Sequence, residues 1–153
     1  MKTLIVLLAL AAAPIKAQVV SPCFEGSNMP YQASAAAIAE PWEDNTRVFS
    51  EGRVRVSVMD TWEPALGAFY LMVLVWPEAT GEPDIRDCSL ISRGALGFVS
   101  MTLDGLVENA NTTGQLALLV PVVSYDPTLD ALKDAVLEVT VEPQTGEVAA
   151  RLR

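Results

Sequence analysis

Hydrophobic and polar positions change rhythm along this chain. Residues 46–60 (TRVFSEGRVRVSVMD) alternate, with Val54, Val56 and Val58 on one side and Arg53, Arg55 and Ser57 on the other. A period of two is the pattern of a strand with one covered face, and Glu51-Gly52 supplies a turn before it. In residues 68–77 (AFYLMVLVWP) the alternation disappears. A strand that is apolar on both sides is expected where both faces are covered. The run QLALLVPVV (115–123) is similar, but Pro121 has no N–H and argues against a fully hydrogen-bonded central position. In residues 136–153 (VLEVTVEPQTGEVAARLR), Leu137, Val139 and Val141 share a side that Val148, Ala150 and Leu152 can join across a PQTG turn. Residues 88–92 (CSLIS) form another short strand. Residues 111–114 make a turn, and Asp104-Gly105 a tighter turn or a bulge.

Two segments carry helical signals. The alanines of YQASAAAIAE (31–40) favour helix and Pro41 cannot continue it. With so little side-chain volume this helix is expected to cap something larger. DPTLDALKD (126–134) reads as a capped helical turn. Together these signals predict a mainly β, antiparallel β-sandwich of about seven or eight strands with a short N-terminal helix. The alternative is a small barrel or curved meander with the helix plugging one end. An outer-membrane barrel of similar length would alternate lipid-facing and lumen-facing residues between aromatic girdles. Here the most apolar strand does not alternate and aromatics are only 7% of the chain, so a soluble sheet is expected.

Composition then places the chain. Met1-Lys2, the apolar run at 3–13 (TLIVLLALAAA), Pro14 and the small Ala17 make a signal-peptide pattern over residues 1–17. The run falls short of the ~20 residues of a transmembrane helix. The expectation is a single β domain over 18–153, periplasmic or secreted, with no membrane span in the mature chain. The net charge of -9 sets nucleic acid and anionic lipid surfaces against it as partners. Loss of Lys2 and Lys16 with the leader makes it more negative and leaves Lys133 as the remaining lysine. Cys23 and Cys88 suit an oxidising compartment and are expected to form a disulfide. No C-x-x-C pair suggests a redox role.

The chemistry is narrowed by what the chain lacks. It has no histidine, hence no common general base and no common transition-metal ligand. No G-x-S-x-G elbow, phosphate-binding loop or dinucleotide fingerprint occurs. Carboxylate chemistry remains: Glu40, Glu43 and Asp44 lie beside Trp42, and Asp60 and Glu63 flank Trp62. A glycosidase needs two carboxyls roughly 5–10 Å apart near aromatic platforms. Trp42, Glu43, Asp60, Trp62 and Glu63 are therefore the candidate ligand or carboxylate site, although acidic loops are ordinarily solvated surface. NANTTG (109–114) imitates part of a calcium loop but contains no carboxylate, so no metal site is assigned, and no cofactor is implied. Arg53 and Arg55 project from one side of a strand and are candidates for an anionic ligand or acidic partner.

With catalytic residue types scarce, the leading expectation is an exported non-catalytic binding or interaction module of unknown partner. A small-ligand carrier with an apolar cavity between the two apolar runs is the alternative. A carboxylate-dependent carbohydrate-active enzyme is a third.

Overall fold

A computed structural model describes residues 19–24, 30–62, 67–78, 86–94, 96–110 and 114–153. Its strands are β1 (Val19–Pro22), β2 (Thr46–Phe49), β3 (Val54–Asp60), β4 (Phe69–Val75), β5 (Asp87–Ser92), β6 (Ser100–Met101), β7 (Val107–Ala110), β8 (Leu116–Asp126), β9 (Ala131–Val141) and β10 (Val148–Leu152). They form two antiparallel sheets. The first has the order β1-β5-β4-β3-β2; in the second, β10-β9-β8 is completed by β6 and β7, both paired to β8. Neither sheet closes on itself, so the architecture is a sandwich and not a barrel.

The expected alternation builds the core between the sheets. Val54, Val56 and Val58 of β3 and Leu71, Val73 and Val75 of β4 face Leu118 and Val120 of β8 and Leu137, Val139 and Val141 of β9. All of these are fully buried, each worth about 1.5–3 kcal/mol relative to exposure. Side chains therefore fill the space between the sheets that the alternative carrier reading would have used as a ligand cavity. The chain passes from one sheet to the other between β5 and β6, where residues 96–99 touch both. Phe98 pairs with Phe69 of the first sheet, and the Val99 N–H donates to Val123 of the second at 2.9 Å. The crossing is tight: a Cβ on Gly97 would lie 2.5 Å from the Phe69 carbonyl oxygen.

Pro121 occupies an inner strand and still follows the rule that it cannot donate. Its carbonyl accepts the Thr102 N–H, so its missing donor points toward the β6–β7 side. There the neighbouring chain leaves the ladder: β6 pairs with Val122 and Val123, β7 begins opposite Leu119, and residues 102–106 loop out between them. The Asp104-Gly105 signal marks this excursion.

Two helical expectations are corrected. Residues 31–40 form no α-helix; they make two 3-10 turns, Tyr31–Ala33 and Ala35–Ala37, separated by extended Ser34. A run this short is marginal as a helix in isolation. Strand β3 competes for its backbone, because Ile38 pairs with Met59 and the Ala39 N–H donates to Val58 at 2.9 Å, both of which need extended chain. Alanine propensity loses to these tertiary contacts. The predicted helical turn near Asp126 is instead the tip of the β8–β9 hairpin. Asp126 Oδ1 accepts the Thr128 N–H at 2.9 Å, and Lys133 lies inside β9.

Cys23 and Cys88 form the expected disulfide, with Cα atoms 5.3 Å apart, and the Cys23 N–H donates to the Cys88 carbonyl at 2.9 Å. The bridge spans 65 positions, and closing such a loop stabilises by about 4 kcal/mol in the chain-entropy model. Replacing both cysteines by serine is expected to lower the melting temperature by roughly 10–20 °C. Calorimetry measures this directly, and a fall of only a degree or two would show that the bridge is incidental.

Candidate functional site on the outer face of the first sheet

The outer face of the first sheet is apolar because β4 has apolar side chains on both sides. Tyr70, Met72 and Leu74 point away from the inter-sheet core, and strand register aligns them with their neighbours. Leu74 stands opposite Arg55 of β3 and Cys88 of β5, and Arg55 in turn opposite Val48 of β2. The next row holds Thr46, Ser57, Met72 and Leu90. Residues 30–39 lie over part of this face. Ala33 and Ala37, with Ile38 beside them, pack on Met59, Met72, Leu90 and Cys23 as a second, smaller core.

The overlay stops short of the Leu74 row, and a groove of about 750 Å³ opens there. Met72, Leu74 and Ile38 make it apolar, and half-exposed Phe24 and Trp42 also line it. Its polar floor atoms are occupied with one another, since the Thr46 and Ser57 hydroxyls are hydrogen-bonded at 3.2 Å. Arg55, Arg86 and Glu43 supply its charge. The loop carrying Trp42 and Glu43 is fixed by Arg47, whose Nη1 donates to the carbonyls of Glu43 at 2.8 Å and Asp44 at 3.0 Å. The Asp44 N–H closes a turn onto Pro41 at 3.1 Å.

The structure thus brings Trp42, Glu43 and Arg55 together beside the Cys23–Cys88 bridge. It separates Arg53 from them. Arg53 has right-handed helical backbone (φ -77°, ψ -28°) that completes the turn before β3, so strand alternation begins only at Val54. Its guanidinium pairs with Glu78 in a different hollow, next to Trp76. Asp60 and Trp62 also lie elsewhere, with Asp60 about 16 Å along β3 from Arg55. Asp60 Oδ1 accepts the Trp62 N–H at 2.9 Å, holding an indole that is 78% exposed in left-handed backbone (φ 57°). Glu63 lies outside the described residues. Sequence reading missed Phe24 and Arg86. Both follow from the disulfide: Phe24 is next to Cys23, and Arg86, just ahead of β5, is two residues before Cys88.

Among the described residues Glu43 is the only carboxylate lining the groove, so the pair of acids that glycoside hydrolysis needs is not assembled there. Neither Arg55 nor Arg86 has a carboxylate partner among the described residues. Arg86 lies over the Trp76 ring, 4.8 Å from its centroid.

The second sheet also exposes apolar side chains outward, Val107, Leu132 and Val136 among them, but its cations are paired. Glu138 binds Arg151 at 2.6 and 3.0 Å and Arg153 at 2.5 Å. Lys133 binds Asp126 at 2.8 Å.

No family model, curated protein or solved structure matches this chain. Its function has to be read from the groove itself.

The ion pairs of the second sheet carry a pH signature. The Lys133 ammonium, chiefly, holds the Asp126 carboxyl at a pKa of about 2, and Arg151 holds Glu138 below the usual carboxylate range. Both folded-state values are depressed. Their stabilisation is therefore present above the unfolded carboxylate range and is lost as pH falls toward 2. Lys133→Ala is expected to raise the Asp126 pKa toward its ordinary 3.8, read by carboxyl NMR titration. An unchanged titration would remove Lys133 as the cause.

Proposed function

We propose that this protein is an exported, non-catalytic binding module whose binding site is the groove over Met72 and Leu74. The observation that carries this reading is the pairing of an exposed apolar groove with two arginines, Arg55 and Arg86, that have no carboxylate partner among the described residues. Buried apolar contact supplies affinity, and arginines aimed into it supply selection among ligands. Nothing in the groove resembles a nucleophile with its base or an acid pair. Arg53 belongs to another surface, through Glu78.

The disulfide is compatible with an extracellular or periplasmic compartment, and among the described residues no helix is long and apolar enough to cross a membrane. Export with removal of residues 1–17 completes the reading. The intact mass of natively exported protein should equal residues 18–153 less two hydrogens; the full-length mass, or two alkylatable thiols, would overturn it.

Binding is tested by placing a photo-crosslinking amino acid at position 35, where Ala35 lines the groove, or at position 128, where exposed Thr128 sits on the β8–β9 tip. Amine crosslinkers are unsuited, because Lys133 is the sole lysine beyond the leader. Irradiation in the native exported fraction should give a defined adduct, macromolecular or small, from position 35 only. Labelling of equal extent and identity from both positions would reject the groove as the site.

A further inference from the structure

We propose that the groove binds a single-chain amphiphile with an anionic head group, a carboxylate or a phosphate monoester. The hydrocarbon would lie over Met72 and Ile38, and the head between Arg55 and Arg86. This deepens the binding-module reading and rests on it.

The size of the space comes first. About 750 Å³ lies within the roughly 300–1,000 Å³ of small-ligand sites. Its chemistry comes next. An extended peptide would bring N–H and C=O groups onto the floor, and each one buried unpaired costs about 1–3 kcal/mol. The floor has little to offer them: Thr46 and Ser57 satisfy each other, and the β3, β4 and β5 backbones are committed to their own ladders. A hydrocarbon chain needs no such partners.

The two arginines give the ligand its sign and its direction. Arg55 stands opposite Leu74 on β3. On the other side of Leu74 is Cys88, and Arg86 lies two residues before it. Two strand spacings and two residues of rise put their Cα atoms roughly 12 Å apart, so both long side chains can converge above Leu74. The Arg86 guanidinium lies over the Trp76 ring at 4.8 Å, and its N–H groups can donate to an anion. The opposite end of the groove runs under Ala33 and Ile38, where the overlay shields the floor from water. Head and tail are thereby assigned opposite ends.

Charge elsewhere sharpens the choice. The chain carries -9 overall, yet each of the other described cations is already engaged. Arg53, Arg151, Arg153 and Lys133 hold carboxylates, while Arg47 and Arg93 hold backbone carbonyls. Two arginines against the one described carboxylate, Glu43, leave the groove net positive, which favours one bound anion, while the net charge repels an anionic bilayer.

The test is calorimetric titration of the full mature protein with dodecanoate, dodecyl phosphate, dodecanol and dodecyltrimethylammonium, all below micelle formation. The anionic probes should bind one to one and at least tenfold more tightly than dodecanol. The cationic probe should bind more weakly still. Arg55→Gln and Arg86→Gln should each weaken anionic probes on the order of tenfold, with dodecanol affinity and melting temperature unchanged. Ala35→Trp should fill the groove and abolish binding of all four probes. The stronger of dodecanoate and dodecyl phosphate distinguishes a free fatty acid from a phosphate ester. Vesicles rich in phosphatidylglycerol should not bind. Equal affinity for dodecanol and dodecanoate, tight vesicle binding, or no binding of either anionic probe would overturn the proposal. In that last case, a groove-specific adduct at position 35 would leave the binding reading standing and return the ligand class to an acidic polypeptide. Loss of that adduct as well would remove both.

Discussion

The first sheet must be covered twice, because β4 carries Leu71, Val73 and Val75 on one face and Tyr70, Met72 and Leu74 on the other. The inner face is sealed by a second sheet whose long β8–β9 hairpin opposes it with Leu118, Val120, Leu137 and Val139. Among the described residues the outer face has no third sheet and no helix to cover it. It has residues 30–39, which pack on Cys23 of the disulfide and pair with β3 through Ile38 and Met59. Each anchor fixes backbone, and the alanines between them contribute close approach more than volume.

A thin overlay gives the site its form. Alanine side chains let the chain lie flat on Met72 and Leu90, but they do not reach the Leu74 row. The apolar ground left uncovered is walled by residues that the same anchors position: Phe24 by the disulfide, Trp42 and Glu43 by the loop that follows Ala39. A regular helix at 31–40 would have cost the pairing of Ile38 with Met59 and the Ala39 hydrogen bond to Val58 of β3. Stability of the outer face and openness of the groove thus follow from one local choice of backbone.

Much of this was legible in the residues, and the failures have physical reasons. The double-sided run at 68–77 announced a doubly covered strand, and alternation in β3 and β9 assigned Val54, Val56, Val58, Leu137, Val139 and Val141 to the core correctly. The cysteine pair was legible from count and compartment. The helix at 31–40 was misread because propensity is local, whereas the competing partner, β3, is some twenty residues away. Arg53 was misjudged as a strand neighbour of Arg55 because period-two counting ran one residue into a turn whose helical backbone no pattern signals. Trp42, Glu43 and Arg55 were chosen separately, two for carboxylate chemistry and one for anion binding. Only the tertiary fold, which lays the loop at 40–45 beside Arg55 of β3, reveals that they share one groove.

Two arginines with no carboxylate partner among the described residues distinguish the groove from the other exposed apolar surface. Outward residues of β8 and β9 also leave hydrophobic side chains in solvent, but the cations described on β9 and around β10 are all paired: Arg151 and Arg153 with Glu138, Lys133 with Asp126. Such a surface offers an anion no unpaired cation. On a chain with nineteen acidic residues and ten basic ones, an arginine without a carboxylate is the less expected state, and Coulomb attraction alone would tend to fill it. Arg86 is kept available by stacking on Trp76. Arg55 is kept available by its neighbours: Val48 and Leu74, the residues directly across from it on either side, are both apolar. Cross-strand pairing therefore denies Arg55 the acidic partner that an ordinary sheet surface would provide. The same pairing that sets the register of the sheet leaves a cation facing an apolar groove, where an anion carried on an apolar chain is the partner that satisfies both.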